Sequence, residues 1–412
     1  MRVLIGAFGD PGHAFPAIAL ARALHEREHE VLVQTWKRWQ PYVEREGIGF
    51  DPSPEYDVFP TRSHPLKPYE AVVRATAETR PLVREFAPDV VVNDILTLAP
   101  ALAAELEGRP RATLVPHVYP PTQRGLPAYG LGAMPPTSRA GRAAWRALSK
   151  PMNFGVARGR DQLNETRRRL GLPPTPHSYG GMSRELTLVA TFPQLEYVRR
   201  WPDHVYVSGP LVWEPPHGPT DPPPGNKPLV LVAPSTSQDQ RQTMLVTALR
   251  ALANLPVRVL ATYNRRPPPG RVAVPANARL VEWVSYSQTM PLADLVLCHG
   301  GHGTMARALS CGKPVVVVPG AGDMAENAAR LQWAGAGLAL PRRLMTAAML
   351  RWVVQRGLEE PDFAARAREL AQWASANDGA ATAAALIEWR FGRAGQPPVL
   401  GSNSMSSAAS RS

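Results

Sequence analysis

Short apolar segments alternate with amphipathic stretches along most of the chain. The first apolar segment, 2–8, is almost continuously hydrophobic, and residues with helical spacing follow over 16–27. Continuous hydrophobicity is typical of parallel strands that are covered on both faces, and alternation with helices is typical of βαβ units. Further strands are predicted over 30–36, 89–95, 111–117, 185–191 and 205–210.

The alternation stops and then begins again. Segment 213–228 is rich in proline and predicts a semi-rigid linker. We therefore expect an α/β protein with two Rossmann-like domains, 1–212 and 229–378, and a ligand cleft between them. In the second domain, strands are predicted over 229–235, 257–263, 279–284, 294–299 and 314–319.

Three other regions interrupt the pattern. Segments 51–68 and 119–182 are predicted as long loops, with one or two Arg-rich helices in the second. Long loops inside α/β domains are usually functional or disordered. Residues 395–412 are small and polar, which predicts a disordered tail.

Composition and charge argue against several classes of protein. The net charge is +12, but the basic residues are mostly Arg scattered along 412 positions, which is not typical of nucleic-acid binding. Two cysteines, Cys298 and Cys311, make no disulfide framework and offer too few ligands for a metal site. No apolar run reaches the roughly 18 residues of a membrane span, and there is no secretion signal. We therefore expect a cytoplasmic protein.

The predicted strand 294–299 leads directly into the sequence HGGHGT at 299–304 and then into a helix. The unpaired N–H groups and the dipole of a helix N-terminus favour an anion, and glycines allow its close approach. The spacing matches neither the P-loop nor the dinucleotide-binding fingerprint. We expect a phosphate or diphosphate here; the alternative is a glycine turn that only packs the helix on the strand. The candidate residues are His299, Gly301, Gly303 and Thr304, with His302 as a further donor.

Gly12 and His13 occupy the matching position in the first half, after strand 2–8. A histidine at the carboxyl end of a strand is well placed to act on a ligand in the cleft. Because its ordinary pKa of about 6.5 is too low to ionise an alcohol outright, it would need a carboxylate partner. Asp94, at the end of strand 89–95, is the candidate partner. The alternative is a structural histidine in a glycine loop.

Polar residues also follow strand 314–319, namely Asp323, Glu326 and Asn327. Asp323 either binds hydroxyl groups of a polyol or caps the helix that follows. Trp283 either stacks on a planar base or lies in the core.

Two longer segments resemble a known family. "WVSYSQTMPLADLVLCHGGHGTMARALSCGKPVVVVPGAGDMAENA" resembles the donor-binding signature of nucleotide-sugar-dependent glycosyltransferases of the GT-B fold, and "GDPGHAFPAIALARALHEREHEVLV" resembles the opening of their acceptor domain. The resemblance spans about residues 1–393 and is nearest to family-one enzymes of actinomycetes that modify macrolides and other natural products. It implies two Rossmann-like domains facing each other across a cleft, with a C-terminal helix within 379–394 that crosses back onto the first domain.

The resemblance also implies roles for individual residues. His13 would be the general base on the acceptor hydroxyl, with Asp94 as its partner, and Asp323 would hold sugar hydroxyls. Trp36 and Phe59 would be acceptor walls, although Trp36 is equally compatible with the core. The donor-binding set would be Gly12, Ser235, Thr236, Trp283, Val284, His299, Gly301, Gly303, Thr304, Asp323 and Met324, with Trp283 stacked on the nucleobase.

The reaction implied by the family is inverting transfer of a hexose or deoxyhexose from a UDP- or dTDP-sugar to a hydroxyl. The acceptor would be a small apolar molecule such as a polyketide, macrolide or phenolic natural product. No cofactor and no metal are expected, and the chain contains no Asp-x-Asp motif. The expected partners are these two substrates, for a monomer or a homodimer.

Three positions depart from the family pattern. Arg307 stands where a ribose-binding Glu is frequent, Met324 where a Gln often grips glucose, and Tyr286 where a Gln is usual. These departures weaken the case for uridine diphosphate, leave thymidine diphosphate open and suit a 6-deoxyhexose. The competing interpretations are a nucleotide-sugar epimerase and a catalytically silent sugar-nucleotide-binding or activator protein.

Overall fold

The protein is described here by a computed structural model that covers residues 1–54, 68–235, 239, 241–320, 322–392 and 398. Phe59, Thr236 and all but one residue of the predicted tail 395–412 lie outside these ranges. The predicted α/β architecture is confirmed, because the chain forms two parallel sheets with helices between the strands.

The first sheet contains seven strands, all paired in parallel. In chain order they are β1 (Arg2–Gly6), β2 (Glu30–Thr35), β3 (Gly49–Pro52), β4 (Val90–Asp94), β5 (Arg111–Val115), β6 (Leu186–Val189) and β7 (Val205–Val207). Their order across the sheet is β3-β2-β1-β4-β5-β6-β7. Every residue of β4 and β6 is buried, as expected of strands covered on both faces.

The helices of the first half are α1 (Pro11–His25), α2 (Gln40–Arg45), α3 (Pro68–Phe86), α4 (Leu98–Leu106) and α5 (Arg139–Arg169). Helix α1 begins with Pro11 in its first turn, where the missing N–H removes no helical hydrogen bond. Its buried side, which includes Ala14, Ala17 and Ile18, packs into the core of the first sheet. This packing fixes the first turn of α1, which contains Gly12 and His13.

The second sheet contains β8 (Leu229–Ala233), β9 (Arg258–Thr262), β10 (Ala278–Val281), β11 (Leu295–Cys298), β12 (Val315–Val317) and β13 (Gly337–Ala339). All are parallel, in the order β10-β9-β8-β11-β12-β13. The helices of this half are α6 (Thr243–Leu252), α7 (Tyr286–Thr289), α8 (His302–Ser310), α9 (Met324–Ala334), α10 (Ala347–Glu359), α11 (Pro361–Ala376) and α12 (Gly379–Phe391).

Both sheets reverse their strand order at one point, between β1 and β4 in the first and between β8 and β11 in the second. Open α/β sheets bind ligands outside the carboxyl ends of the strands at such points. His13 follows β1 and Asp94 ends β4, whereas Ser235 follows β8 and His299 follows β11. Four of the predicted site residues therefore lie at the two reversal points.

The structure also differs from several sequence predictions. Strands β6 and β7 are shorter than the predicted 185–191 and 205–210, and the four-residue β3 and three-residue β13 were not predicted. Helix α5 runs for 31 residues through a region predicted mainly as loop. Its internal Gly155 and Gly159 resemble loop signals, but Ser138 caps the helix by accepting a hydrogen bond from the Gly141 amide.

Segment 213–228 runs between the sheets and contacts both of them. Trp213 packs in the first core, and its indole N–H donates to Glu46 Oε1 at 3.1 Å. The carbonyl oxygens of Pro223 and Lys227 accept hydrogen bonds from Arg258 on β9. The exact domain limits stay a prediction, but this segment is fastened at both ends.

Helix α12 returns to the first half. Ala383, Leu386 and Ile387 are buried in the core that surrounds α1. Glu388 accepts hydrogen bonds from Arg27 at 2.6 and 2.9 Å. Among the helices of the described ranges, none is both long enough and apolar enough to cross a membrane.

Candidate active site

His13 and Asp94 form a hydrogen-bonded pair at the reversal point of the first sheet. His13 Nδ1 lies 2.8 Å from Asp94 Oδ1, and Asp94 is almost fully buried. The other carboxylate oxygen accepts from the Phe8 amide at 3.2 Å. Burial alone would lower the pKa of His13, but the Asp94 carboxylate outweighs it, so the pKa is raised above its ordinary value. The arrangement produces a stronger base whose free nitrogen is Nε2.

Aromatic side chains surround this pair. Phe8 contacts His13 with ring centroids 6.0 Å apart, and Trp36 contacts Phe8 edge-on at 5.1 Å. Trp36 is partly exposed and packs over Gly9, with the Arg38 guanidinium 4.6 Å from its ring. Trp36 therefore lies near the candidate base and is not a fully buried core residue.

The turn after β11 is built around Gly300. Its φ is +90°, and a Cβ there would lie 2.8 Å from Val317 Cγ1, so this position requires glycine. Helix α8 follows, with Gly301 at its N-cap and no side chain capping its first turn. A Cβ on the exposed Gly303 would meet no atom within 4 Å. The N-terminus of α8 therefore presents backbone N–H groups beside open space, which suits an anion.

His299 is oriented by the first strand of its own sheet. Its Nδ1 lies 3.3 Å from the Ala233 carbonyl oxygen at the end of β8. Burial lowers the pKa of His299, so the ring is neutral near pH 7 and Nδ1 carries the proton that the carbonyl accepts. Nε2 lies over Gly301, where an added Cβ would approach it to 2.4 Å. This nitrogen faces the start of α8.

His302 does not serve as the further anion donor that the sequence suggested. Its side chain is buried, and Nε2 lies 3.3 Å from the Ala190 carbonyl oxygen, just beyond β6 in the first half. Burial, together with the nearby His117, lowers the pKa of His302 to about 4. The ring is therefore a neutral contact between the two halves.

Asp323 and Asn327 link α9 to the Gly300 turn. Asn327 Nδ2 donates to the Gly300 carbonyl at 2.9 Å and to Asp323 Oδ2 at 3.0 Å. Asp323 stands at the N-cap position of α9 but makes no capping hydrogen bond with its side chain. Met324 is mostly buried and packs beneath Gly300. Of these residues, Asp323 is the one with a carboxylate oxygen available to hydroxyl groups.

The remaining predicted donor residues lie at the neighbouring strand ends. Trp283 is partly buried just beyond β10, and the Arg265 guanidinium lies 4.8 Å from its ring centroid. Val284 and Ser235 are buried, and Thr304 is partly exposed in the first turn of α8. Arg307, further along α8, is close enough to Glu214 to lower the pKa of that carboxyl.

Comparison with known proteins shows what the chain is similar to. Residues 246–388 match the family model described as "Erythromycin biosynthesis protein CIII-like, C-terminal domain". The chain is 29% identical to the 4'-demethylrebeccamycin synthase of Lentzea aerocolonigenes, over 94% of this chain and 99% of that protein. It is 28% identical to the O-mycaminosyltylonolide 6-deoxyallosyltransferase of Streptomyces fradiae, over 94% and 97% respectively.

The fold comparison agrees. The crystal structure of glycosyltransferase VinC in complex with dTDP matches with a TM-score of 0.70 and 21% identity, covering 96% of this chain and 100% of that one. The fold is the GT-B fold, and the chain is similar over almost its whole length to glycosyltransferases that act on natural products. Both the α/β class and the resemblance to glycosyltransferases expected from the sequence are confirmed.

Sequence reasoning missed several residues of this glycosyltransferase. His117 lies two residues beyond β5, with its ring centroid 6.2 Å from that of His13. Arg330 on α9 pairs with Glu326 and with Glu196, the latter in the first half, and all three are buried. No local sequence pattern predicts the pairing of Arg330 with Glu196, because the two residues are 134 positions apart in the chain. His117 is the last residue of the predicted strand 111–117, and that position was its only signal.

In the part of the glycosyltransferase that the structure describes, no group of three or more His, Cys, Asp and Glu side chains could hold a metal ion. The roles assigned to the individual site residues stay predictions. The geometry nevertheless brings His13, Asp94, His299 and Asp323 to one cleft, since the Asp323 carboxylate is close enough to act on both histidines: it helps to raise the pKa of His13 and partly opposes the lowering of the His299 pKa by burial.

Proposed function

We propose that this glycosyltransferase transfers a hexose or deoxyhexose from a nucleoside-diphosphate sugar to a hydroxyl group of a small, largely apolar acceptor, with inversion at the anomeric carbon. The observation that carries the proposal is the hydrogen bond between the partly exposed His13 and the buried Asp94; this histidine has a raised pKa and shares a cleft with Asp323. The proposal needs no metal ion.

In the proposed reaction, His13 Nε2 takes the proton of the acceptor hydroxyl as its oxygen attacks the anomeric carbon. The bond from that carbon to the diphosphate oxygen breaks, and the diphosphate leaves with the electron pair. Asp94 orients His13 and stabilises the imidazolium that forms. The unpaired N–H groups at the start of α8 would stabilise the charge that grows on the diphosphate.

The donor is proposed to carry a pyrimidine nucleotide, with dTDP favoured over UDP. Arg307 in place of a carboxylate removes a partner suited to a ribose with both hydroxyls, and the fold neighbour VinC was solved with dTDP. A 6-deoxyhexose is favoured because Met324 offers no amide to a 6-hydroxyl, and one relative is named a 6-deoxyallosyltransferase. Trp36 is proposed as an apolar acceptor wall.

The donor class is tested by thermal-shift titration with UDP, dTDP and GDP, with NAD as the control. A ligand at about 100 times its Kd that binds only the folded state adds roughly 2.7 kcal/mol of stability. We expect stabilisation by one pyrimidine diphosphate. Stabilisation by NAD alone, or by none of the four, contradicts the proposed donor.

The base is tested with His13→Ala, using dTDP-glucose or UDP-glucose and 2-naphthol as substrates. Loss of a general base lowers kcat by about 10²- to 10⁴-fold, and the stabilisation by nucleotide should remain. His25→Ala is the matched control, because His25 lies on the same helix but is exposed at its far end. Unchanged transfer by the His13 variant would show that another group removes the proton.

A further inference from the structure

His117 occupies the strand end beside the candidate base. It follows β5, which pairs with β4, the strand that ends in Asp94. Its ring is partly exposed, and its centroid lies 6.2 Å from that of His13. A residue at the carboxyl edge of the sheet, one strand from the reversal point, faces the same cleft as the reacting groups.

The hydrogen bonds of His117 identify which nitrogen carries its proton. Nδ1 lies 2.8 Å from the Val118 carbonyl oxygen, and a carbonyl only accepts. Nδ1 therefore donates, and the Tyr129 hydroxyl oxygen, at 3.3 Å, lies on the same side of the ring. Burial lowers the pKa of His117, so the ring is neutral. Nε2 is then an unprotonated acceptor, and none of the described residues donates a hydrogen bond to it.

The ring is also held in a fixed orientation. Tyr129 stacks on His117 with centroids 5.9 Å apart and planes inclined by 29°. The next residue, Gly130, donates its N–H to Glu326 Oε2 on α9 at 3.2 Å. The loop that positions His117 is thereby fastened to the half that carries Asp323. An acceptor atom so held is preorganised for one hydrogen bond.

We propose that His117 Nε2 accepts a hydrogen bond from a second hydroxyl group of the substrates, close to the reacting hydroxyl or the anomeric carbon, and so determines specificity. This inference rests on the proposed function of the cleft. The hydroxyl belongs either to the acceptor molecule or to the sugar, and the experiment distinguishes the two sources. A site that accepts a hydrogen bond rejects an analogue that lacks the hydroxyl, because the analogue displaces water and leaves the partly buried acceptor unpaired.

The experiment compares two pairs of probes, which are 2,3-dihydroxynaphthalene with 2-naphthol as acceptors and dTDP-glucose with dTDP-2-deoxyglucose as donors. The wild-type enzyme should favour the hydroxylated member of one pair by about tenfold or more in kcat/KM. His117→Asn should abolish that preference, because its amide N–H can still donate to Val118 while the Nε2 acceptor is gone. The pair whose preference is lost identifies the source of the hydroxyl.

Two further variants keep the result interpretable. His117→Phe retains a ring to stack on Tyr129 and should behave like the Asn variant, whereas His117→Gln places an amide near the Nε2 position and should retain part of the preference. The inference is overturned if the wild-type enzyme shows no preference in either pair, or if the variants lower both members of a pair equally. His13→Ala tests the proposed general base independently of the proposed role of His117. If this variant transfers sugar at an unchanged rate, the base assignment is wrong, but the preference that depends on His117 can still be measured.

Discussion

The two sheets use the same topological position for different chemistry. At the reversal point of the first sheet, the site consists of side chains, and both Asp94 oxygens accept hydrogen bonds from His13 and Phe8. At the reversal point of the second sheet, the site consists mainly of backbone, with Gly300 in a turn and no side-chain cap on α8, and His299 lies beside it. Moving a proton requires a side chain with a suitable pKa, whereas binding a diphosphate requires backbone N–H groups that no side chain obstructs.

The first prediction tests the side-chain site and has the largest expected effect. Asp94→Asn should lower kcat by about 10²- to 10⁴-fold, because the base loses its orienting carboxylate. His13 acts when deprotonated, and Asp94 raises its pKa. The acidic limb of the pH–rate profile should therefore move to lower pH in the variant. Asp161→Asn, at an exposed position on α5, is the control, and an unmoved limb would contradict the pairing.

The second prediction concerns the buried ion pairs that join the two halves of the protein. Arg330 lies 2.9 Å from both Glu196 and Glu326, whose other oxygens accept from the amides of Tyr119 and Gly130. Arg330→Met leaves two buried carboxylates unpaired and should lower the free energy of unfolding by about 3–5 kcal/mol.

The control for Arg330 is Arg356→Met, which breaks an exposed pair between Arg356 on α10 and Glu360 just after that helix, and it should leave the free energy of unfolding nearly unchanged. Chemical denaturation of both variants measures the difference. If the two variants unfold alike, the buried cluster does not fasten the halves together. Arg330→Lys should recover only part of the stability, since a single ammonium cannot reproduce the planar fork of Arg.

The third prediction tests the backbone site with two glycines. Gly300→Ala should lower the free energy of unfolding by about 1–3 kcal/mol, because φ is +90° and Val317 leaves no room for a Cβ. Gly303→Ala should leave stability nearly unchanged, since a Cβ there meets no protein atom. It should instead weaken dTDP binding, measured by calorimetry. Full dTDP affinity in the Gly303 variant would mean that the anion does not approach this turn.

The sequence predicts these two sites unequally. His13 follows a continuous apolar strand and Asp94 ends another, so their meeting at one sheet edge follows from parallel topology alone. The HGGHGT sequence predicts an anion site, but it does not distinguish His299, which faces α8, from His302, which contacts Ala190 across the halves. That distinction depends on how the halves pack.

Long-range contacts explain the other omissions. Glu196 and Arg330 are ordinary surface residue types in the sequence, and only the folded chain buries them together. One or two Arg-rich helices were predicted within 119–182, but the length of α5 was not, because its glycines lower the local helical signal although the helix is continuous from Arg139 to Arg169.

The return of α12 has a consequence for the order in which the protein is made. The core around α1 includes Ala383, Leu386 and Ile387, which leave the ribosome after both sheets have been synthesised. The first half therefore cannot bury the surface that α12 covers until nearly the whole second half has emerged. Nascent chains usually complete their N-terminal domain first; here the core of the first half is incomplete until α12 has been synthesised.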